Sequence, residues 1–354
     1  MTNIFVVDFF NLIKRYTYLI EESPDDGEFY SEITTRVINR VLKYVKEYKI
    51  DLLVFCSDSG FNFRANSVLG GEYKANRNRA KSLTQEEREN SYIEKLKDIL
   101  ASLPNIFIEV KDVEADNIAY LTIKYLSKEI DDSKFYVGTT DSDFLQLLSD
   151  RVNIVNWAKG LITVDNWKEI HNFDSKYFKP EDYSLLKSIV GDTSDNIKGV
   201  KGLGWKTAIK LLDFICARIG ESVSLDNIQS VVSYLENLRD NYSLSKKELA
   251  VVNKFLITLV SNIELINRNY SIISLDMLET PYIARVMTSL DVSMKTPILF
   301  NQKEFLDKIR FSDRYMSDED YNKILKKNLQ ALYDFKRLAA RSEKIRREHC
   351  GTKD

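Results

Sequence analysis

Residues 190–212 read VGDTSDNIKGVKGLGWKTAIKLL. Two carboxylates, Asp192 and Asp195, stand before a run without an acid, in which Lys198, Lys201, Lys206 and Lys210 are set among Gly199, Gly202 and Gly204. Glycine lets a backbone turn tightly and come close to another backbone. The spacing predicts a helix over residues 206–212, with Ala208, Ile209, Leu211 and Leu212 available for packing. A glycine turn feeding a helix N-terminus favours an anion, because free N–H groups and the helix dipole act together, and nearby lysines add charge attraction. Carboxylates beside such a site would repel the anion unless a metal stood between them. A turn followed by a solvated lysine helix is the plain alternative. The stretch points instead to a metal beside a nucleic-acid backbone.

The whole chain, 354 residues, has room for two domains or for one large domain with an extension. Hydrophobic residues make up 44%, enough for a sizeable core. Net charge is −2, so there is no global basic signature, but acidic clusters and basic runs alternate along the chain. Local patches therefore matter more than overall charge. Cys56, Cys216 and Cys350 are scattered and odd in number, and His171 and His349 are the only histidines, so no zinc spacing exists. That pattern suits a reducing cytosol, and a cytoplasmic location is expected. The opening MTNIFVVDFFNLI lacks a basic leader and is interrupted by Asp8 and Asn11. It reads as a buried strand, not a signal peptide. No stretch is apolar enough for long enough to span a membrane.

Residues 4–7 form a short apolar run ending at Asp8, which suits a central parallel strand with a carboxylate at its end; Asp8 would also serve as a plain helix N-cap. Residues 21–32 are acidic, with Pro24 and Gly27, and predict an exposed loop. Residues 33–48 have helical spacing. A second strand at 51–56 runs into Ser57, Asp58, Ser59 and Gly60, an ordinary turn sequence. Residues 61–81 carry Arg64, Lys74, Arg77, Arg79 and Lys81 against the single acid Glu72, interleaved with Phe61, Phe63 and Tyr73. Aromatics beside a basic track grip single strands by base stacking, although a solvated basic loop has the same composition. A charged helix over 84–100 follows, with Thr84 and Glu87 as its capping box. Residues 104–110 make a third strand, and the next helix opens with Glu114 and Asp116, acids that its dipole favours in any case. A fourth strand at 135–138 ends in TTDSDFLQLL, placing Asp141 and Asp143 just past it. Residues 152–157 and 161–164 read as an edge hairpin, and Pro180 marks a helix start.

Strands alternating with helices imply an α/β fold, a mostly parallel sheet covered on both faces. Ligands of such sheets bind outside the carboxyl ends of the strands. Asp8, Asp58, Glu114, Asp116, Asp141 and Asp143 all follow predicted strands at that edge, and Asp192 and Asp195 join them from the glycine segment. Each close pair would repel by about 4 kcal/mol at an effective dielectric of roughly 20 and a separation of about 4 Å. Such a cluster needs cations or proton uptake. An all-oxygen set without His or Cys indicates Mg²⁺ or Mn²⁺. Two such ions can activate water and stabilise the leaving oxygen of a phosphodiester.

The pattern GD-x-x-DN-I-x-GV-x-G-x-G-x-KTA in residues 191–208 resembles the helix–three-turn–helix segment of the 5′-nuclease (flap endonuclease) family, in particular bacteriophage RNase H-type and polymerase-I-type 5′–3′ exonucleases. EYKANR, residues 72–77, resembles the family's stretch at the base of a helical arch, and the acids match its N-terminal Asp, its Asp after the second strand, its E-A-D triplet, its D-x-D pair and its GD-x-x-D pair. Asn117 departs from the second Asp that polymerase-I-type members often carry after the triplet. The resemblance covers roughly residues 1–215 and implies a PIN-like nuclease core at 1–180 with an arch at about 64–100, a duplex-binding segment at 181–215, and a two-metal phosphodiesterase. Asp8, Asp58, Glu114, Asp116 and Asp141 would serve the first ion, and Asp143, Asp192 and Asp195 the second. Lys74 would hold the scissile phosphate, with Tyr73 near the terminal base. Arg64, Arg77 and Lys81 would line the arch, while Lys198, Lys201, Gly202, Gly204, Lys206 and Lys210 would grip duplex phosphates. The resemblance also implies K⁺ on the glycine-turn carbonyls. Its substrates would be 5′ flaps, nicked or gapped duplex, and RNA–DNA hybrid, cut by a monomer that leaves 5′-phosphates.

Residues 221–354 carry no motif of that resemblance, and 216–354 read as mostly helical. Ser245 and Glu248 form a capping box, and Ser317 opens a long last helix carrying nine Lys or Arg between 323 and 347. Leu325, Leu329, Leu332, Phe335 and Leu338 give that helix one apolar stripe, so a core-packed helix with a solvated outer face is expected; contact with DNA or a replication protein is the other reading. A non-catalytic junction-binding accessory on the same fold would lack one or more acids. A PIN-type ribonuclease would lack the glycine–lysine segment.

Overall fold

In the first strand every residue from Ile4 to Val7 is buried, and alternate side chains enter different cores: Ile4 and Val6 one, Phe5 and Val7 the other. A strand buried on both faces is the signature of a parallel sheet covered by helices. The computed structural model describes residues 1–17, 26–59, 83–219, 227–312 and 318–350. Six strands form the main sheet: β1 (Thr2–Asp8), β2 (Leu52–Ser57), β3 (Ile106–Glu109), β4 (Ser133–Gly138), β5 (Val152–Asn156) and β6 (Gly160–Ile162). Their order is β3-β2-β1-β4-β5-β6, with only β6 antiparallel. Strand order reverses at β1, so the crevice between the carboxyl ends of β1 and β4 is the switch point where such sheets bind ligands.

Helices α1 (Phe9–Thr17), α2 (Asp26–Glu47), α3 (Leu83–Ala101), α4 (Ala115–Glu129) and α5 (Trp167–His171) lie between or after the strands. Helices α6 (Tyr183–Val190) and α7 (Trp205–Ile219) flank a small antiparallel hairpin, β7 (Gly191–Asp192) with β8 (Ile197–Lys198). The remainder is α8 (Ile228–Asn241), α9 (Lys246–Val260), α10 (Ile263–Ile273), α11 (Thr280–Lys295), α12 (Gln302–Ser312) and α13 (Asp318–Cys350). Among the described residues no single helix is long and apolar enough to cross a membrane.

The helices beyond residue 216 are built into both cores. Leu235, Leu256 and Val286 join Ile4, Leu52 and Ile118 on one face. Phe305, Leu332, Phe335 and Leu338 join Phe5, Phe55 and Val41 on the other. Ser342 Oγ donates to the Asp51 carbonyl at 2.7 Å, fastening α13 to the amino end of β2. The capping box at α9 is formed, with Ser245 N–H donating to Glu248 Oε2 at 2.9 Å and Glu248 N–H to Ser245 Oγ at 3.3 Å.

One expectation needs correction. Residues 26–32 are part of α2 rather than loop; after Gly27 no Gly or Pro interrupts the chain before residue 48, so the helical spacing of 33–48 extends backward. The charged helix expected over 84–100 is α3, Leu83–Ala101; the side chain of Thr84, and with it the capping box to Glu87, lies outside the described residues. Ser317 and the side chains of Leu325 and Leu329 lie outside the described residues.

The glycines of the 190–212 stretch have separate tasks. Gly202 has φ +85°, the left-handed region that a turn there requires. At Gly199 a Cβ would fall 1.9 Å from the Val190 carbonyl oxygen, so the backbone of the returning strand touches the end of α6. Gly199→Ala should therefore destabilise the chain by about 3 kcal/mol, the upper range for overpacking. Urea denaturation followed by circular dichroism measures it, and a loss under about 0.5 kcal/mol would contradict the close approach.

Candidate metal centre and phosphate-binding face

Asp8 is the last residue of β1 and is almost wholly buried. It caps α1, since Asn11 N–H donates to its Oδ1 at 3.1 Å, and Thr139 Oγ1 donates to its Oδ2 at 3.2 Å across the switch point. The N-cap reading and the ligand reading of Asp8 are thus compatible. Burial, then the charges of Asp58 and Asp141, push its pKa up to about 7, against the pull of the Asn11 and Thr139 hydrogen bonds. Asp58 follows β2, and its Oδ1 accepts from Ala115 N–H at 2.5 Å. That bond seats the start of α4, and with it Glu114 and Asp116, beside Asp58. Asp141 follows β4 and caps a 3₁₀ turn over Ser142–Leu147 by accepting from Asp143 N–H at 2.9 Å. The short turn places Asp141 and Asp143 at adjoining positions on the same edge.

Carboxylate oxygens of Asp143, Asp192 and Asp195 lie within 4.8 Å of one another. These are the three residues that the family resemblance assigns to one ion. Their position follows from the hairpin: α6 ends at Val190, Gly191 takes φ +85°, and β7 carries Asp192 back toward the 3₁₀ turn. Ser194 donates to Asp192 Oδ1 from both its N–H (2.7 Å) and its Oγ (2.6 Å).

Sequence reasoning missed Lys187. It lies on α6, only 4% exposed, and its ammonium contacts Asp143 Oδ1 and sits 2.6 Å from Asp192 Oδ2. A protein cation therefore occupies the interior of the carboxylate cluster. Burial opposes its charge, but Asp143, Tyr183 and Asp192 outweigh burial and raise its pKa. Burial, reinforced by Asp141 and Asp192, pushes the Asp143 pKa up in spite of Lys187. Burial works against the Asp192 charge too, but Lys187 and Ser194 prevail and its pKa is lowered. The signal that was available is position: residues 183–189 are buried throughout, so a lysine among them cannot be a solvated one. Asn11 was also missed. Its Oδ1 accepts from Thr140 N–H (2.8 Å), Thr140 Oγ1 (3.1 Å) and Trp157 Nε1 (3.0 Å), tying α1 to the end of β4.

The donor set suits a hard divalent cation. It is all oxygen, and a lysine ammonium already stands among it. Cys56 is buried beneath Asp8 and Asp58, and burial raises its thiol pKa, so it offers no thiolate. Asn117 points away from the acids: it is 2% exposed and its Nδ2 donates to the Leu275 carbonyl at 3.4 Å. An aspartate there would bury a charge against that carbonyl.

On the outer side of the hairpin, Lys198, Lys201, Gly202, Gly204, Lys206 and Lys210 are all exposed. Helix α7 begins at Trp205 and its first bonds run from Thr207 and Ala208 to the Gly204 carbonyl. Trp205 stacks on Tyr183 with centroids 5.3 Å apart and leans on Phe173 and Phe178, fixing this end of α7 to the core. The positive pole of a long helix thus faces out beside four lysines, next to the carboxylates. Arg64, Tyr73, Lys74, Arg77 and Lys81 lie outside the described residues.

A model of the 5′–3′ exonuclease N-terminal, resolvase-like domain matches residues 3–179. DNA polymerase I of Bacillus subtilis is 33% identical over 146 residues, which is 41% of this chain and 16% of the polymerase. The chain spans only 16% to 28% of the lengths of the polymerases it matches. The flap endonuclease of Escherichia phage T5 is 26% identical over 258 residues, 71% of this chain and 83% of the relative. The 5′-3′ exonuclease of Bacillus subtilis is 30% identical over 186 residues, 51% of this chain and 60% of the relative. The fold is shared with the phage T5 D15 protein co-crystallised with metal ions, at a TM-score of 0.58 and 20% identity over 92% of this chain and 98% of that one.

Two outcomes follow from the charges. Asp8 has a folded pKa near 7 against an ordinary 3.8, so its contribution to stability is full below pH 3.8 and is lost as pH rises through 7. In EDTA, Asp8→Asn should match the wild type at pH 4 and exceed it by about 2–4 kcal/mol at pH 8; denaturant titrations at the two pH values read this, and a gain at pH 4 equal to that at pH 8 would contradict it. Lys187→Met should cost about 3–5 kcal/mol in EDTA by leaving buried carboxylates without their counter-ion. Mn²⁺ should restore more of the melting temperature in this variant than in the wild type; equal recovery would show that the ammonium does not stand in for a cation.

Proposed function

Because the chain belongs to the 5′–3′ exonuclease family, we propose that it is a Mg²⁺-dependent, structure-selective 5′ nuclease, with Mn²⁺ as substitute. The observation that carries this reading is the juxtaposition at one sheet edge of the Asp8–Asp58–Asp141 group, the Asp143–Asp192–Asp195 group and the outward-facing lysine hairpin. Its substrates are 5′ flaps, nicked or gapped duplex, and RNA–DNA hybrid, as in RNA-primer removal. Water adds to phosphorus, the bond to the upstream O3′ breaks, and the products are a 5′-phosphate and a 3′-hydroxyl.

Glu114 and Asp116 complete the first group of ligands. Divalent ions bound by the two groups supply water activation and neutralise charge developing on the phosphate. The rest falls to the chain's own side chains. Thr139 and Asn11 hold Asp8 in place, and Ser194 orients Asp192. Lys198, Lys201, Lys206 and Lys210, with the α7 N-terminus, bind duplex phosphates. Such contacts carry no base sequence, so selectivity is for junction shape. By resemblance, Lys74 holds the scissile phosphate, Tyr73 meets the terminal base, Arg64, Arg77 and Lys81 line the arch, and the glycine-turn carbonyls take K⁺. The enzyme acts as a monomer, and residues 216–354 offer the surface for a replication partner.

The test is cleavage of a 5′-labelled flap on a nicked duplex with Mg²⁺, with EDTA, and with Asp141→Asn. Cuts near the junction are expected to vanish in EDTA and to slow by about 10²–10³-fold in the variant, the equivalent of several kcal/mol of transition-state stabilisation. Tight flap binding without cleavage in either Mg²⁺ or Mn²⁺ would overturn the nuclease reading and leave a junction-binding accessory.

A further inference from the structure

Three buried or half-buried side-chain amides join the acid-bearing elements to one short segment of the C-terminal region, residues 269–275: Gln146 and Asn117 reach to it, and Asn269 reaches from it. Asn269, at 0% exposure on α10, donates through Nδ2 to the Ser188 carbonyl at 2.9 Å and to the Lys198 carbonyl at 2.8 Å. Ser188 follows Lys187 on α6, and Lys198 faces Gly191 in the hairpin register, next to the Asp192–Ile197 pair. One amide thus fixes the angle at which the hairpin carrying Asp192 and Asp195 leaves α6. Ile197 of the same hairpin packs with Ile272 and Ile273 in a small apolar cluster of its own.

Gln146 does the equivalent for Asp143. Its Nε2 donates to the Asp143 carbonyl at 2.8 Å and to the Ile273 carbonyl at 3.2 Å, and its Oε1 accepts from Leu275 N–H at 3.0 Å. Asn117, the neighbour of Asp116, adds its 3.4 Å contact to the Leu275 carbonyl. The Asn269 Oδ1 is buried with no hydrogen-bond partner among the described residues. Burying an unmet acceptor is unfavourable, so the side chain is not what packing alone would select; a leucine would fit the space but would release both carbonyls.

We propose that residues 269–275, through Gln146, Asn269 and Asn117, are a positioning brace that sets the separation of Asp143 from Asp192 and Asp195 and so couples the C-terminal helices to metal binding. The brace rests on the metal-dependent reading of that cluster. Its members touch neither metal nor substrate. They act on the backbone beneath the ligands, as outer partners of a metal site do.

The test is calorimetric titration of Mn²⁺ into the EDTA-stripped, dialysed full-length chain without DNA, for the wild type, Gln146→Met and Asn269→Leu. Asn166→Leu is the control, because Asn166 bridges backbone groups of the remote β6 corner, accepting from Thr163 N–H at 2.8 Å and donating to the Leu161 carbonyl at 3.0 Å. Each brace variant should lose about tenfold or more in Mn²⁺ affinity, whereas the control should lose melting temperature without losing affinity. Brace variants that bind Mn²⁺ as tightly as the wild type would overturn the brace alone. A wild type that takes up no Mn²⁺ would overturn both the brace and the reading beneath it. Should Gln146→Met fail to fold, Asn117→Leu, which removes a single 3.4 Å contact, is titrated in its place with the same two outcomes.

Discussion

Negative charge gathered at the carboxyl edge of a parallel sheet is the constraint that the rest of the molecule answers. Asp8 cannot retreat, because it ends a strand buried on both faces and is held by α1 and Thr139. Asp143 and Asp192 are brought together by a 3₁₀ turn and a hairpin. Water is largely excluded from them, so their repulsion is poorly screened. Lys187 is the answer built into the chain. Its own burial would be unfavourable without two carboxylates to contact, and those carboxylates would be unfavourable without it. Neither half of this arrangement is favourable alone.

The position of the lysine run is governed by the same edge. Gly199 lets the returning strand touch the Val190 carbonyl, so the lysine run starts within one turn of the carboxylates instead of on a distant loop. The stacked Trp205 prevents α7 from swinging away from that position. The exposed lysines from Lys198 to Lys210 are therefore held at a fixed distance from Asp192 by the hairpin and the stacked tryptophan. The order of the residues, acid pair then glycine turn then lysine helix, is what makes attraction of the backbone and tolerance of the acids compatible.

Much of this was legible in the sequence, for reasons that particular residues make plain. The run before Asp8, the apolar 52–56 segment and the Gly138 terminus are continuous hydrophobic strands, and a strand buried on both faces has no other appearance. The candidate acids stand out in the sequence because each follows such a strand or belongs to the glycine pattern. Lys187 escaped because lysine is normally solvated, and only the burial of residues 183–189 reveals otherwise. Asn117 registered only as a departure from an expected aspartate; that its amide turns toward Leu275 is a tertiary fact. Gln146 and Asn269 leave no periodic trace at all, since a buried amide bonded to backbone carbonyls depends on partners far away in the chain. The C-terminal helices were visible as helices through Ser245, Glu248 and the Leu332–Phe335–Leu338 stripe, but their destination was not, because an apolar stripe does not name the surface it covers.

That destination changes how residues 216–354 are understood. The matched domain model stops at residue 179, yet the fold shared with the phage T5 protein extends over 92% of this chain. Helices that share a fold without sharing a motif are constrained by burial, and many apolar sequences satisfy burial equally well. A hydrogen bond to a chosen carbonyl is a stricter demand, met by few side chains in one orientation. Ser342 meets that demand at the amino end of β2, and residues 269–275 meet it at the acid-bearing edge, where they touch the 3₁₀ turn, α4 and the hairpin from one side. A region that completes both hydrophobic cores and also touches the backbone under the acids cannot be a detachable appendage. Any partner that shifts α10 by a fraction of an ångström acts, through those amides, on the spacing of Asp143 and Asp192.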